Sequence, residues 1–189
     1  MSVLPYQEIK KLISDKKLVE GGDLESCLGP ASYELRIGSA LDVMSKTEHV
    51  IPVGQEFAIK PQSRILIGTV ETVKMPADLC GELSLKSKFG RKGFLPWSQG
   101  YVDPGYQGKL TISLINMSPY PEILSGGQKI CHIIFHQLKA ATQKPYDGEY
   151  NGSSGATDAK GGGILVIGTR LFAAGVGGLV SGVAEGLVS

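Results

Sequence analysis

The chain has few cysteines, little net charge and no basic-then-apolar run among its first residues, and each shortage narrows what it can be. Its cysteines, Cys27, Cys80 and Cys131, lie far apart with no CxxC spacing. An odd count without pattern predicts reduced, mostly buried thiols in a cytoplasmic protein. The 19 lysines and arginines against 18 aspartates and glutamates leave a formal charge of +1. That gives no electrostatic reason to expect a nucleic-acid polymer as partner. No basic stretch followed by an apolar run opens the chain, so no secretory signal is expected. What is there is ordinary for one soluble domain: 189 residues, 42% hydrophobic and 20% charged.

Residues 4–17 read as a helix, with Pro5 in the first turn, Ile9, Leu12 and Ile13 on one face, and Gly21-Gly22 as the stop. From Ser32 the period changes to two. Short runs rich in Val, Ile, Leu and Thr follow at 33–37, 65–70, 81–85, 110–115 and 130–135, each bounded by Pro, Gly, Ser or Asp. Many short strands with few helices predict a mainly β fold: a sandwich, jelly roll or barrel.

The central stretch is 100–108, where Asp103-Pro104-Gly105-Tyr106 reads as a tight turn presenting a carboxylate and a ring. Taken alone it is a plain β-turn. Two other turns carry polar groups. Residues 86–93 hold four cations and a hydroxyl between glycines, which suits an anion but equally describes a solvated basic loop. Residues 125–129 form a turn before the last apolar run. His132 and His136 share a strand face with Ile130 and Ile134 and lack a third ligand, so a structural role is expected. Residues 146–157, rich in Gly and Ser with Tyr146 and Tyr150, read either as a flexible tail or as a lid over a phosphorylated ligand.

In this order the pieces resemble the dCTP deaminase/dUTPase superfamily: Gly29 through Gly38, Lys86-Ser87 through Gly93, Gly100 through Gly108, Leu114-Ile115-Asn116, Gly127 through Phe135, and the Tyr146/Tyr150 end. The resemblance covers residues 1–158, with a lid at about 146–158. It implies a distorted β-barrel or jelly roll, a homotrimer with sites at subunit boundaries, and a deoxynucleoside triphosphate as ligand, with magnesium carried on its phosphates. By the same resemblance Ser87 and Arg91 contact the triphosphate with Lys86 nearby. Asp103 orients the attacking water, and Tyr106, followed by Gln107, packs beneath the deoxyribose. Tyr146, Tyr150 and Ser154 belong to the closing end.

The departures decide between branches. A deaminase of this type shuttles protons with a glutamate on the strand after the turn, and the matching position is Ser113, which cannot serve near pH 7. Gln99 stands where an alanine is usual near the base. Glu149 replaces a lysine, and Ser153-Ser154 replace a glutamine. The resemblance therefore implies a dUTPase-like hydrolase more than a dCTP deaminase. A trimer that binds nucleotide without turning it over is the alternative from another class, acting through its C-terminal tail.

That tail, 159–189, lies outside the resemblance. Gly161-Gly162-Gly163 reads as a linker, and 164–188 is apolar with Ala174, Gly178, Gly182 and Gly186 spaced by four. Its uncharged stretch 171–184 is shorter than the ~20 residues a membrane-spanning helix needs. A membrane-associated or self-associating helix, a segment that docks a partner protein, and an added extension stand side by side as readings.

Overall fold

The computed structural model describes residues 2–42, 47–97 and 100–156. The chain runs β1 (Ser2–Val3), α1 (Tyr6–Ser14), β2 (Val19–Glu20), α2 (Leu24–Cys27), β3 (Tyr33–Asp42), β4 (Thr47–Val50), β5 (Glu56–Ile59) and β6 (Arg64–Lys74). It continues with β7 (Leu79–Leu85), α3 (Ser87–Arg91), β8 (Phe94–Pro96), β9 (Tyr101–Val102), β10 (Gln107–Asn116), β11 (Glu122–Ser125) and β12 (Lys129–Gln137). The predicted strands at 33–37, 65–70, 81–85, 110–115 and 130–135 all lie within β3, β6, β7, β10 and β12.

The main sheet runs in the order β8-β10-β6-β3-β12-β7-β9, with β5 and β11 forming a second, small sheet. Its two edge strands, β8 and β9, are neighbours in sequence. Five residue steps lead from Pro96 to Tyr101, a link that spans at most about 18 Å. Seven strands laid flat would hold their edges about 29 Å apart. The sheet must therefore curl into a half-barrel. Inside the curl sit Ile9, Tyr33, Leu35, Ile37, Phe89, Phe94, Leu114 and Phe135, all buried. The three cysteines are buried and unpaired.

The first helix is shorter than its sequence pattern. Pro5 is the N-cap and not a first-turn residue, and the helix ends at Ser14, well before Gly21-Gly22. Lys16 ends it, in the left-handed region at φ 54. Its N–H donates to Ile13 O, and the Lys17 N–H donates to Leu12 O. This pair of bonds is a Schellman closure, made here without glycine.

One buried ion pair ties three parts of the chain together. Glu71 on β6 is fully buried, and Arg36 on β3 reaches it with Nε at 2.6 Å and with its backbone N–H at 2.9 Å. The same guanidinium donates to Gly21 O, which anchors the turn after β2.

Among the described residues no helix is long and apolar enough to cross a membrane. The linker and tail at 159–189, with the membrane and partner readings that rest on them, lie outside the described residues, as do Gln99 and the last two residues of the expected lid.

Candidate active site

The Asp103 turn is held by backbone bonds alone. Tyr106 N–H donates to Asp103 O at 3.2 Å, and Gly105 sits at φ 89, where only glycine is unstrained. With Pro104 before it, this is a type II turn. Gly105 N–H donates to Met75 O and Met75 N–H to Tyr106 O, which pins the turn to the end of β6. A Cβ on Gly105 would come within 2.5 Å of Pro145 Cβ. The Asp103 carboxylate is left exposed at the mouth of a pocket of about 450 Å³, whose walls include Tyr101, Pro104, Lys144, Pro145, Tyr146 and Asp147.

Tyr106 is buried, at 8% exposure, and its hydroxyl donates to Lys109 O at 2.6 Å. Its ring meets that of Tyr146 at 5.8 Å. Burial first, and Tyr146 second, push the Tyr106 phenol up to about 12. Tyr101 also rises to about 12, chiefly through its hydrogen bond with Cys80. Both stay neutral hydroxyls at physiological pH.

Glycine-rich composition alone favours a loose tail after Pro145, but residues 146–156 are laid along β10 as a strap. Tyr146 N–H donates to Pro104 O, Gly152 N–H to Gln107 O, and Lys109 N–H to Ser153 O. Gln107 N–H donates to Asn151 Oδ1, Thr111 Oγ1 to Gly155 O, and Ala156 N–H to Ser39 Oγ. Ala156 is fully buried against Leu41 and Leu66. Gly68 explains the small residues here, because a Cβ on it would collide with Ser39 Oγ and Ala156 N and lie 2.9 Å from Gly155 C. Gly68→Val should therefore lift the strap at a cost of about 1–3 kcal/mol. Limited proteolysis should then cut within 146–156, where the parent protein resists.

The cationic turn is separate from this cluster. Ser87 opens α3, with Lys88, Arg91 and Lys92 exposed around it. Lys86 is not free: its ammonium is paired with Glu34, which also takes Lys129 at 2.8 Å. Burial works to raise the Glu34 pKa, but hydrogen bonds from Lys129 and Lys86 outweigh it and hold the carboxyl below its ordinary value. A depressed carboxylate stabilises the fold above its unfolded pKa, and that stabilisation is lost as pH falls through the folded value. Urea midpoints should thus drop on acidification below the ordinary glutamate range, and Glu34→Gln should flatten that part of the profile.

His132 faces Glu34 on β3 and Ser84 on β7, and burial, with Lys86 second, lowers its pKa. His136 Nε2 lies 3.3 Å from Glu82 Oε2. Among the described residues no three His, Cys, Asp or Glu side chains come together to hold a metal.

Thus the structure brings Asp103, Tyr106, Gln107, Tyr146 and Tyr150 to one place, since Tyr150 N–H donates to the Tyr146 hydroxyl. Ser154 lies farther along the strap and is exposed. Lys86, Ser87 and Arg91 sit elsewhere. Val102 pairs with Gly81, near the start of β7, whereas Ser87 follows its far end. Seven residues of strand put Asp103 and Ser87 of one protomer roughly 20 Å apart.

Ser113 lies in mid-strand, 6% exposed, and its Oγ accepts from Arg64 Nε at 3.0 Å. The Arg64 guanidinium lies over the Trp97 ring, 5.8 Å from its centroid. Sequence reading missed Arg64 and Trp97 as a pair. The only signal was an arginine at the head of an otherwise apolar run, which fixes no partner.

A dCTP deaminase-like family model matches residues 3–138. A dCTP deaminase of Thermococcus sibiricus is 38% identical over 151 residues, covering 80% of this chain and 92% of that protein. A probable deoxyuridine 5'-triphosphate nucleotidohydrolase of Sulfolobus islandicus rod-shaped virus 1 is 35% identical over 158 residues, covering 84% and 98%. Among solved structures, the 2'-deoxycytidine 5'-triphosphate deaminase from Agrobacterium tumefaciens superposes with a TM-score of 0.61 at 21% identity. That match covers 71% of this chain and 47% of the other, about half its length.

Proposed function

We propose that this chain, which belongs to the dCTP deaminase-like family, hydrolyses a deoxynucleoside triphosphate, dUTP in the first place, to the monophosphate and pyrophosphate. The observation that carries the reading is Ser113. Deamination at a pyrimidine needs one group that both takes and gives a proton at the base. Ser113 has no such capacity near pH 7, and its hydrogen-bond partner Arg64 is a fixed cation with no acceptor.

Asp103, by contrast, is an exposed carboxylate on a rigid turn beside a pocket. It takes a proton from a water whose oxygen attacks the α-phosphorus. The bond from that phosphorus to the bridging oxygen breaks, and pyrophosphate leaves. Tyr106 and Tyr146 wall the sugar side, and the strap excludes water as it closes.

Ser87 and Arg91, with Lys88 and Lys92 beside them, meet the charge that develops on the phosphates. Their separation from Asp103 within one protomer supports a site completed by a neighbouring subunit, in a homotrimer. Magnesium, when bound, neutralises phosphate charge. It keeps several waters and asks for few protein ligands, which fits a pocket lined by the Asp103 and Asp147 carboxylates without a dedicated cage.

The test is incubation of the full chain with magnesium and each of dUTP, dTTP, dCTP and dATP, with products followed by mass. Pyrophosphate and dUMP from dUTP are expected. Conversion of dCTP to dUTP would assign the deaminase activity named for the Thermococcus relative and overturn this reading. Binding without any product would assign the non-catalytic one.

A further inference from the structure

The pocket beside the Asp103 turn carries an uneven set of charges. Asp103 and Asp147 line it as carboxylates, and among the described residues Lys144 is the one cation that joins them. Other lysines of this chain are taken: Lys74 by Glu20, Lys92 by Glu122, and Lys86 and Lys129 by Glu34. The Lys144 ammonium has neither an ion pair nor a hydrogen bond among the described residues, although both carboxylates share its pocket.

Its backbone, by contrast, is held from both sides. Lys144 N–H donates to Thr142 Oγ1 at 3.1 Å, and Thr142 N–H donates to Ala77 O. Pro145 keeps the residue before it out of the helical region and lies directly against Gly105. The bond from Tyr146 N–H to Pro104 O then ties the loop to the turn. Asp103 and Lys144 are thus presented by one joined unit, and the lysine stem alone is left to move.

A nucleoside triphosphate brings several negative charges to a wall that already holds two. The Ser87 loop, roughly 20 Å from Asp103 within one protomer, does not meet them there. During hydrolysis the attacking and leaving oxygens lie in line, on opposite sides of the α-phosphorus, and charge grows on the leaving one. A base and a cation that serve these two oxygens must stand apart, with the phosphorus between them. Asp103 and Lys144 do stand apart, unpaired, on the wall of a pocket of about 450 Å³. A compact charge on a flexible stem can follow the departing oxygen.

We infer that Lys144 is a further catalytic residue, whose ammonium meets the oxygen bridging the α- and β-phosphorus as pyrophosphate leaves. No proton moves from it, and the bonds made and broken are those of the hydrolysis described above. The assignment rests on the reading of this chain as a diphosphatase. It adds stabilisation of the leaving group, and leaves the outer phosphates to the Ser87 loop.

The full chain is assayed with magnesium and dUTP, and binding is read by calorimetry with the α,β-imido analogue, which is not cleaved. Lys144→Gln should lower kcat about 10²–10³-fold, with analogue binding within about threefold of the parent. Melting should not change, because Lys144 is exposed and its side chain holds no described residue. Lys144→Cys should be equally slow. Treatment with 2-bromoethylamine then rebuilds an ammonium of nearly the same reach, and should raise the rate at least about tenfold. The three native thiols are buried and are spared.

A lysine that only held the loop would lower melting and binding together with the rate. Full kcat in Lys144→Gln, with the parent hydrolysing dUTP, overturns this inference and leaves the diphosphatase standing. A loss of rate matched by an equal loss of analogue binding does the same, since it marks a ground-state contact. A folded parent that releases no pyrophosphate from any deoxynucleoside triphosphate overturns both.

Discussion

Asp103→Asn should slow pyrophosphate release by about 10²–10⁴-fold, the usual contribution of a positioned general base. The amide has the shape of the carboxylate but cannot take a proton from water. The fold should not notice the change. The turn is held by Tyr106 N–H on Asp103 O, Gly105 N–H on Met75 O and Tyr146 N–H on Pro104 O, and none of these uses the Asp103 side chain. The loss should therefore fall on kcat, with nucleotide binding by calorimetry within a few-fold of the parent and melting unchanged. A variant that keeps the full rate would remove Asp103 from the chemistry.

Glu71→Ala should have the largest effect on stability. Glu71 is fully buried and accepts from both the Arg36 guanidinium and the Arg36 backbone N–H. Removing one partner of a buried pair leaves the other charge desolvated and unpaired, a loss of about 3–5 kcal/mol. It also frees the arm that holds Gly21 O. The expected result is a much lower urea midpoint at unchanged slope. The double variant Arg36→Met, Glu71→Leu should be more stable than Glu71→Ala, because no charge is then stranded in the core. Equal midpoints for the parent and Glu71→Ala would show the pair to be dispensable.

These two positions also mark what a sequence can disclose. The Asp103 turn was readable because its determinants are adjacent: Pro presets one dihedral and Gly accepts the next. The strands were readable because their period is local. The curl of the sheet was implied by resemblance, yet the length of the link between β8 and β9 states its physical cause. Glu71 gave no such sign, since its counter-charge stands 35 residues away. Arg64 and Ser113 are 49 residues apart and were equally silent. Lys86 was read as a cation near the triphosphate, but packing supplies it with Glu34, a partner on another strand. The end of the first helix was misplaced because glycine is the usual left-handed residue, and here Lys16 takes that conformation. Glycine richness after Pro145 suggested looseness. In the folded chain it serves close approach, as the contact of Gly68 with Gly155 and Ala156 makes plain.

The strap has one more consequence. β8 covers β10 only from Leu114 to Asn116, so on that side the first half of β10 would present open N–H and C=O groups. An uncovered row of this kind is a template for pairing with another chain, and so for aggregation. Residues 151–153 cap that row at Gln107 and Lys109. This short segment thus keeps one copy of this protein from adding its sheet to the next.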